Sequence, residues 1–171
     1  MSVDQDIPNK KEFELFIAAP MSALGNDEAY AIGRKNILEL IDRLSSVHGL
    51  DPVYYAGATI SGQAAFTGET TALRRDLEAL RNSRLFVLVY PSKIVTSALV
   101  EVGYALALRL PCLLLVRDKD DLPYLLNQVE ASEPSELLPP LRIRVFHEID
   151  SAAQEIAAFR RDLVQKEINN V

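Results

Sequence analysis

The chain has 171 residues, a formal net charge of −6 and one cysteine. That length fits one domain able to bury a full core without staples, and the lone Cys112 excludes a disulfide framework or a thiolate metal cluster. The acidic balance, with Lys and Arg scattered, argues against a long nucleic-acid footprint but not against a small anionic ligand.

In chain order, residues 1–11 read as a flexible N-terminal tail, and 12–168 as a single domain with no internal repeat or linker. Glu14 to Ala19 (ELFIAA) reads as a buried strand ended by Pro20. Asp27 to Val47 has helical spacing, with Ile32, Ile37, Leu40, Ile41 and Leu44 along one side, and Gly49 stops it. Asp51 to Tyr55 is a short strand, and Ala56 to Gly68 a small-residue, glycine-rich loop. Helical spacing returns from Glu69 to Asn82 through Leu73, Leu77 and Leu80. Arg84 to Tyr90 (RLFVLVY) is a near-continuous apolar strand closed by Pro91. Ala98 to Leu108 (ALVEVGYALAL) lacks a polar stripe, so it reads as a helix buried nearly all round. Cys112 to Val116 is a further buried strand, Asp120 to Glu130 a short helix, and Ala131 to Pro140 a surface loop. Arg142 to Phe146 alternates as an edge strand does, and Ser151 to Lys166 is an amphipathic helix.

Strands alternating with helices, with continuous apolar strands, predict an α/β fold: a flavodoxin-like or Rossmann-like three-layer sandwich around a five-stranded, mostly parallel sheet. Such folds bind ligands beyond the carboxyl ends of the strands. His48 and His147 stand in separate segments without ligand spacing, so neither a metal nor a cofactor is expected. The N-terminal MSVDQDIPNKKEFE lacks the apolar core of a leader, and no apolar run approaches a membrane span. A cytoplasmic location without a membrane or nucleic-acid partner is the expectation.

Glu101 is the one charged residue of its apolar helix, and a carboxylate there is costly unless something satisfies it. Its place near a helix start after a strand makes it either a reactive group or a structural Glu that caps or pairs with an arginine. Ser97, four residues earlier, shares its face and either N-caps the helix, binds an oxyanion, or both. The loop APMSALGND brings Ala19, Pro20, Ser22 and Gly25 to a strand end, where small residues let a ligand approach backbone amides. It lacks GxGxxG, and Gln63-Ala64 stands where a P-loop lysine would follow, so P-loop ATP hydrolysis is rejected. Of Tyr54 and Tyr55, one can stack on a base while the other joins the core; Tyr55 is assigned to substrate. Asp76, mid-helix in TTALRRDLEALRNSR, reads by itself as part of a solvated face.

Three segments in order, FIAAPMS (Phe16 to Ser22), RRDLEALRNSRLFVLVY (Arg74 to Tyr90) and SALVEVGYALALRLPCLLL (Ser97 to Leu115), resemble the nucleoside 2-deoxyribosyltransferase family and its nucleotide N-glycosidase relatives. The resemblance implies that Glu101 is the nucleophile at C1′ and that Asp76 helps protonate the departing base. It also implies a small-molecule nucleoside or nucleotide substrate, contacted by Phe16 and the residues above, and a homodimer or larger homo-oligomer. Two departures matter: Phe16 stands where the transferases carry an aromatic hydroxyl, and KIVTS has no aspartate before the Glu. Ser97 in that place tilts the substrate toward a 5′-monophosphate and puts base exchange in doubt more than bond cleavage. Ser83 to Glu101 also resembles the strand, Ser-rich loop and Glu helix of TIR-like domains that cleave or cyclise NAD, though their usual Trp-Cys pair is missing. A non-catalytic nucleotide sensor is the third reading, favoured if Glu101 is paired to an arginine.

Overall fold

A computed structural model of the chain describes residues 11–62, 69–127, 129 and 138–169. The expected tail, apart from Lys11, and the expected loops over 63–68 and 131–137 lie outside the described residues.

Five strands, β1 (Phe13–Ala18), β2 (Val53–Tyr54), β3 (Ser83–Tyr90), β4 (Cys112–Val116) and β5 (Leu141–Val145), form one sheet in the order β2-β1-β3-β4-β5. Every neighbouring pair is parallel. The helices are α1 (Asp27–His48), α2 (Glu69–Arg81), α3 (Ala98–Ala107), the short α4 (Tyr124–Asn127) and α5 (Ile149–Asn169). The expected α/β three-layer sandwich is therefore the observed one, and its strand order is that of the flavodoxin-like folds. The sheet is wholly parallel, and Leu141–Val145 lies at its edge as its alternation foretold.

Strand parity sorts the core into two layers. Phe16, Ala18, Phe86, Leu88 and Tyr90 face α2 and α3, together with Ala98, Val102 and Ala105. Leu15, Ile17, Leu85, Val87 and Val89 face α1 and α5, whose Ile37, Leu40, Leu44, Ile156 and Phe159 cover them. Continuous apolar strands follow from this double coverage, because no residue of β3 beyond Arg84 or of β4 meets solvent. The buried Cys112 thiol, pushed up to about 12 by desolvation, belongs to this packing.

Helix boundaries have local causes. Asn26 is extended, and its side chain accepts from the Ala29 N–H at 2.8 Å, with Asp27 and Glu28 in the first turn. Gly49, at φ 64°, ends α1 by donating to the carbonyls of Leu44 and Ser45. The start of α3 departs from expectation. Ser97 already has helical backbone angles (φ −61°, ψ −22°) and makes no side-chain cap, while the Thr96 hydroxyl accepts from the Ala98 N–H at 3.3 Å.

Three apolar expectations are corrected. Ile32 of α1 and Leu73 of α2 are 56% and 52% exposed, not core. α3 is not buried all round: Val100 is 65% exposed, and Gly103 and Ala107 are exposed beside it. The sheet and α2 cover two sides of α3, so the third carries apolar residues without a covering element among the described residues. No helix of the described residues is long and apolar enough to cross a membrane.

Candidate functional site

Asp76 and Glu101 meet on the α2/α3 side of the sheet. Asp76 precedes the buried Ala79 and Leu80 by three and four residues, so it shares their inward face and is not on the solvated side of α2. Its carboxylate accepts a hydrogen bond of 2.6 Å from the Tyr54 hydroxyl. The Tyr54 ring stacks on Phe16, with centroids 5.0 Å apart, and meets Phe13 edge-on at 5.3 Å. Phe16 in turn stacks on Phe86 at 5.8 Å, so an aromatic row across β2, β1 and β3 fixes the tyrosine that holds Asp76.

Glu101 reaches the same place from α3. The loop before α3 is tied to β3 by Tyr90, whose hydroxyl accepts from the Ile94 N–H at 3.0 Å and donates to the Ile94 carbonyl. Glu101 lies in the fourth helical position, and its backbone N–H donates to the Ser97 carbonyl at 3.3 Å. No hydrogen-bond donor and no cation reaches its carboxylate among the described residues. Burial therefore dominates, with the Asp76 charge second, and pushes the Glu101 carboxyl up to about 8. Glu101 sits past the free N–H groups of the helix start, and the Ser97 side chain is exposed, so neither offsets the burial.

Asp76 is raised as well, by burial first, but the Tyr54 hydrogen bond and the Arg75 charge pull it back. Both carboxyls are thus raised, and the Asp76 charge is the second cause of the Glu101 shift, so the two titrate as a pair. Such a pair can hold one proton and one anionic oxygen at neutral pH. That is what a reaction needing both a nucleophile and an acid requires. The Tyr54 phenol, raised by its own burial and by Asp76, stays a donor.

The remaining residues singled out from sequence separate. Phe16 lies in the aromatic row beside Asp76, and Ser97 opens the helix that carries Glu101. Gly25 is in the left-handed region, at φ 81°, with open space where a Cβ would stand. The Ser22 side chain lies outside the described ones. Ala19 and Pro20 line a cavity on the α1 side of the sheet, away from the carboxylates. Tyr55 is 5% exposed within the α1/α5 core, its ring filling the place where a Cβ on Gly57 would stand. The tyrosine at the carboxylates is Tyr54, which pairs with Phe16 across β1 and β2 and so shares its face. Two residues of strand gave the sequence too little alternation to choose between them.

Replacing Tyr54 with Phe is expected to cost about 1–3 kcal/mol of stability, because a part-buried carboxylate loses its donor. Urea unfolding checks this; an unchanged midpoint would show that water replaces the phenol without cost.

The molecule is thus a doubly wound α/β domain in which a glutamate, without a hydrogen-bond donor among the described residues, faces an aspartate near the carboxyl edge of the sheet. No protein-family model matches the chain, and no curated protein matches it in sequence. Among solved structures, the Clostridium botulinum CMP N-glycosidase BcmB superposes with a TM-score of 0.59 at 18% identity, covering 85% of this chain and 98% of that one. At that identity the likeness concerns the fold.

Proposed function

We propose that residues 12–168 form one catalytic domain that cleaves the N-glycosidic bond of a nucleoside 5′-monophosphate or a related nucleotide. The observation that carries this reading is the Glu101 carboxylate, part-buried, without a donor among the described residues, and facing Asp76. Support comes from the fold shared with a CMP N-glycosidase. Among the described residues no arginine pairs with Glu101, the pairing that a sensor reading would look for.

In the proposed first step a Glu101 oxygen forms a bond to C1′ while the C1′–N bond breaks. The electron pair goes to the base nitrogen, which takes the proton from Asp76. The positive charge developing at C1′ favours an ionised Glu101 and so shifts the shared proton toward Asp76. In the second step water attacks C1′, the glycosyl ester opens, and the water's proton returns to Asp76. A second base in place of water would make the reaction a transfer. Phe16, 1% exposed, supports the site from behind Tyr54 and does not itself touch the sugar, while Ser97 with the backbone around Gly25 contacts phosphate or ribose.

A homodimer or larger assembly belongs to this reading, with the exposed Val100, Gly103 and Ala107 face of α3 as the contact that closes the site. Val100→Glu is expected to convert the assembly to monomers by light scattering and to lower turnover at least about tenfold. A monomeric wild-type protein with full activity would remove the assembly from the proposal.

Incubating the protein with nucleosides, 5′-nucleotides and NAD, then separating free bases by chromatography, tests the reading. Release of a base from a monophosphate, lost in Glu101→Gln, supports it. Nicotinamide released from NAD alone would assign the site to the TIR-like reaction, and binding without release would assign it to a sensor.

A further inference from the structure

A second concave site lies on the opposite side of the sheet. A cavity of about 540 Å³ sits between the first half of α1 and the start of α5. Its base is formed by Ala19 and Pro20 after β1 and by Val89 and Pro91 at the end of β3. It therefore opens over the β1/β3 boundary, where the strand order reverses and the following helices pass to opposite faces. Open α/β sheets offer ligands a crevice at that point. Glu101 and Asp76 do not line it; the sheet stands between.

The walls define what the cavity would hold. Ile37, Leu40 and Phe146 are buried and apolar, while Ile32, which also lines the cavity, is 56% exposed. One guanidinium, Arg117, stands at the rim, stacked 4.7 Å from the centroid of the Phe146 ring. Its Nη1 donates to the Phe146 carbonyl at 3.4 Å and to the His147 carbonyl, which fixes the group in place. No carboxylate pairs with Arg117 among the described residues. Glu148 is also on the rim, so its charge balances that of Arg117 and disfavours a dianion. The volume is that of an ordinary small-molecule site, and an apolar body with a few polar groups, here Asn36, His147 and Glu148 beside the fixed Arg117, is the usual lining of one.

We propose that this cavity is a second ligand site, distinct from the carboxylate pair, for a small monoanion with an aromatic or branched apolar body, such as a carboxylate. The apolar body fills the chamber beneath Ile32, and the anionic end receives the N–H groups of Arg117.

The test is fluorescence titration of the full chain with two probes of similar shape, anilinonaphthalene sulfonate and the neutral phenylnaphthylamine. Both are expected to bind saturably at one site. Arg117→Gln should weaken the sulfonate about tenfold, the loss of roughly 1.4 kcal/mol, and leave the neutral probe within about twofold. Arg117→Lys, which keeps the charge without the planar fork, should fall between. Ala29→Trp, which fills the cavity from α1, should abolish binding of both, with circular dichroism showing the fold kept. Benzoate should displace the sulfonate and inorganic phosphate should not. Glu101→Gln should change none of these titrations, so their outcome is independent of the glycosidase reading. Saturable binding that survives Ala29→Trp, equal weakening of both probes by Arg117→Gln, displacement by phosphate, or no saturable binding would each overturn the proposal.

Discussion

Glu101→Gln is expected to lower the rate of base release at least about a thousandfold while raising the stability of the fold. The first effect follows from the proposed bond to C1′, since a neutral amide cannot form the glycosyl ester; a thousandfold loss is about 4 kcal/mol of transition-state stabilisation. The second follows from burial. The Glu101 carboxyl is pushed from 4.5 to about 8 in the folded chain. A group whose folded value is raised contributes stability below its unfolded value and loses that contribution as pH rises through the folded one. The wild-type fold therefore weakens between about pH 4.5 and pH 8 through this residue. With a discount for the part of the side chain that water reaches, the loss is about 1–3 kcal/mol. The amide that replaces the carboxylate carries no such charge, so the variant's advantage should be largest near pH 8.5 and vanish near pH 4, read as a melting-temperature difference of about 2–12 °C. Kinetic loss with no pH-dependent gain in stability would mean that the carboxylate is better solvated than its surroundings indicate. Retained turnover would remove it as the nucleophile.

Asp76→Asn should separate substrates by their leaving groups. For a pyrimidine or purine that leaves as a neutral base after protonation, the loss should be about a hundred- to a thousandfold, the usual scale of general acid catalysis. A pyridinium leaving group such as nicotinamide departs without a proton, so NAD or its riboside should lose far less. The pH profile of kcat/KM for the free enzyme carries the same distinction. With a substrate that needs the acid, activity should fall above about pH 8, where the pair gives up its remaining proton. With nicotinamide as leaving group it should hold or rise there. Removing Asp76 also removes the smaller of the two causes that raise Glu101, so the midpoint should move down without reaching the value of a free glutamate. An equal loss for every leaving group, with no change in the profile, would leave Asp76 a positioning residue.

The two carboxylates differ in how legible they were. Glu101 stands out in the sequence because an apolar helix with one charge is an exception that burial makes costly. Asp76 does not, since Arg75, Glu78 and Arg81 surround it with the composition of a solvated face. Only the family resemblance singled it out, and only packing turned it inward beside Leu80. Tyr54 was named without its role, because a strand of two residues has no period to read. The ionisation of Glu101 could not be read either. It depends on the distance from donors and on the nearness of another element, which helical position alone does not supply.

The α/β alternation, the apolar runs of β3 and β4, the glycine stop of α1 and the anomaly of Glu101 are all legible along the chain. All of these rest on local patterns of side chains along one segment. Which faces meet is a matter of packing. The β1–β2 register puts Tyr54 beside Phe16 and over Asp76 while sending Tyr55 to the other core. The crossing of β1 and β3 to opposite sides places the carboxylate pair on one face and the Arg117 cavity on the other. Such relations join residues far apart in the chain. They are set by packing the whole sheet between its helices, and no single segment carries enough period to fix them.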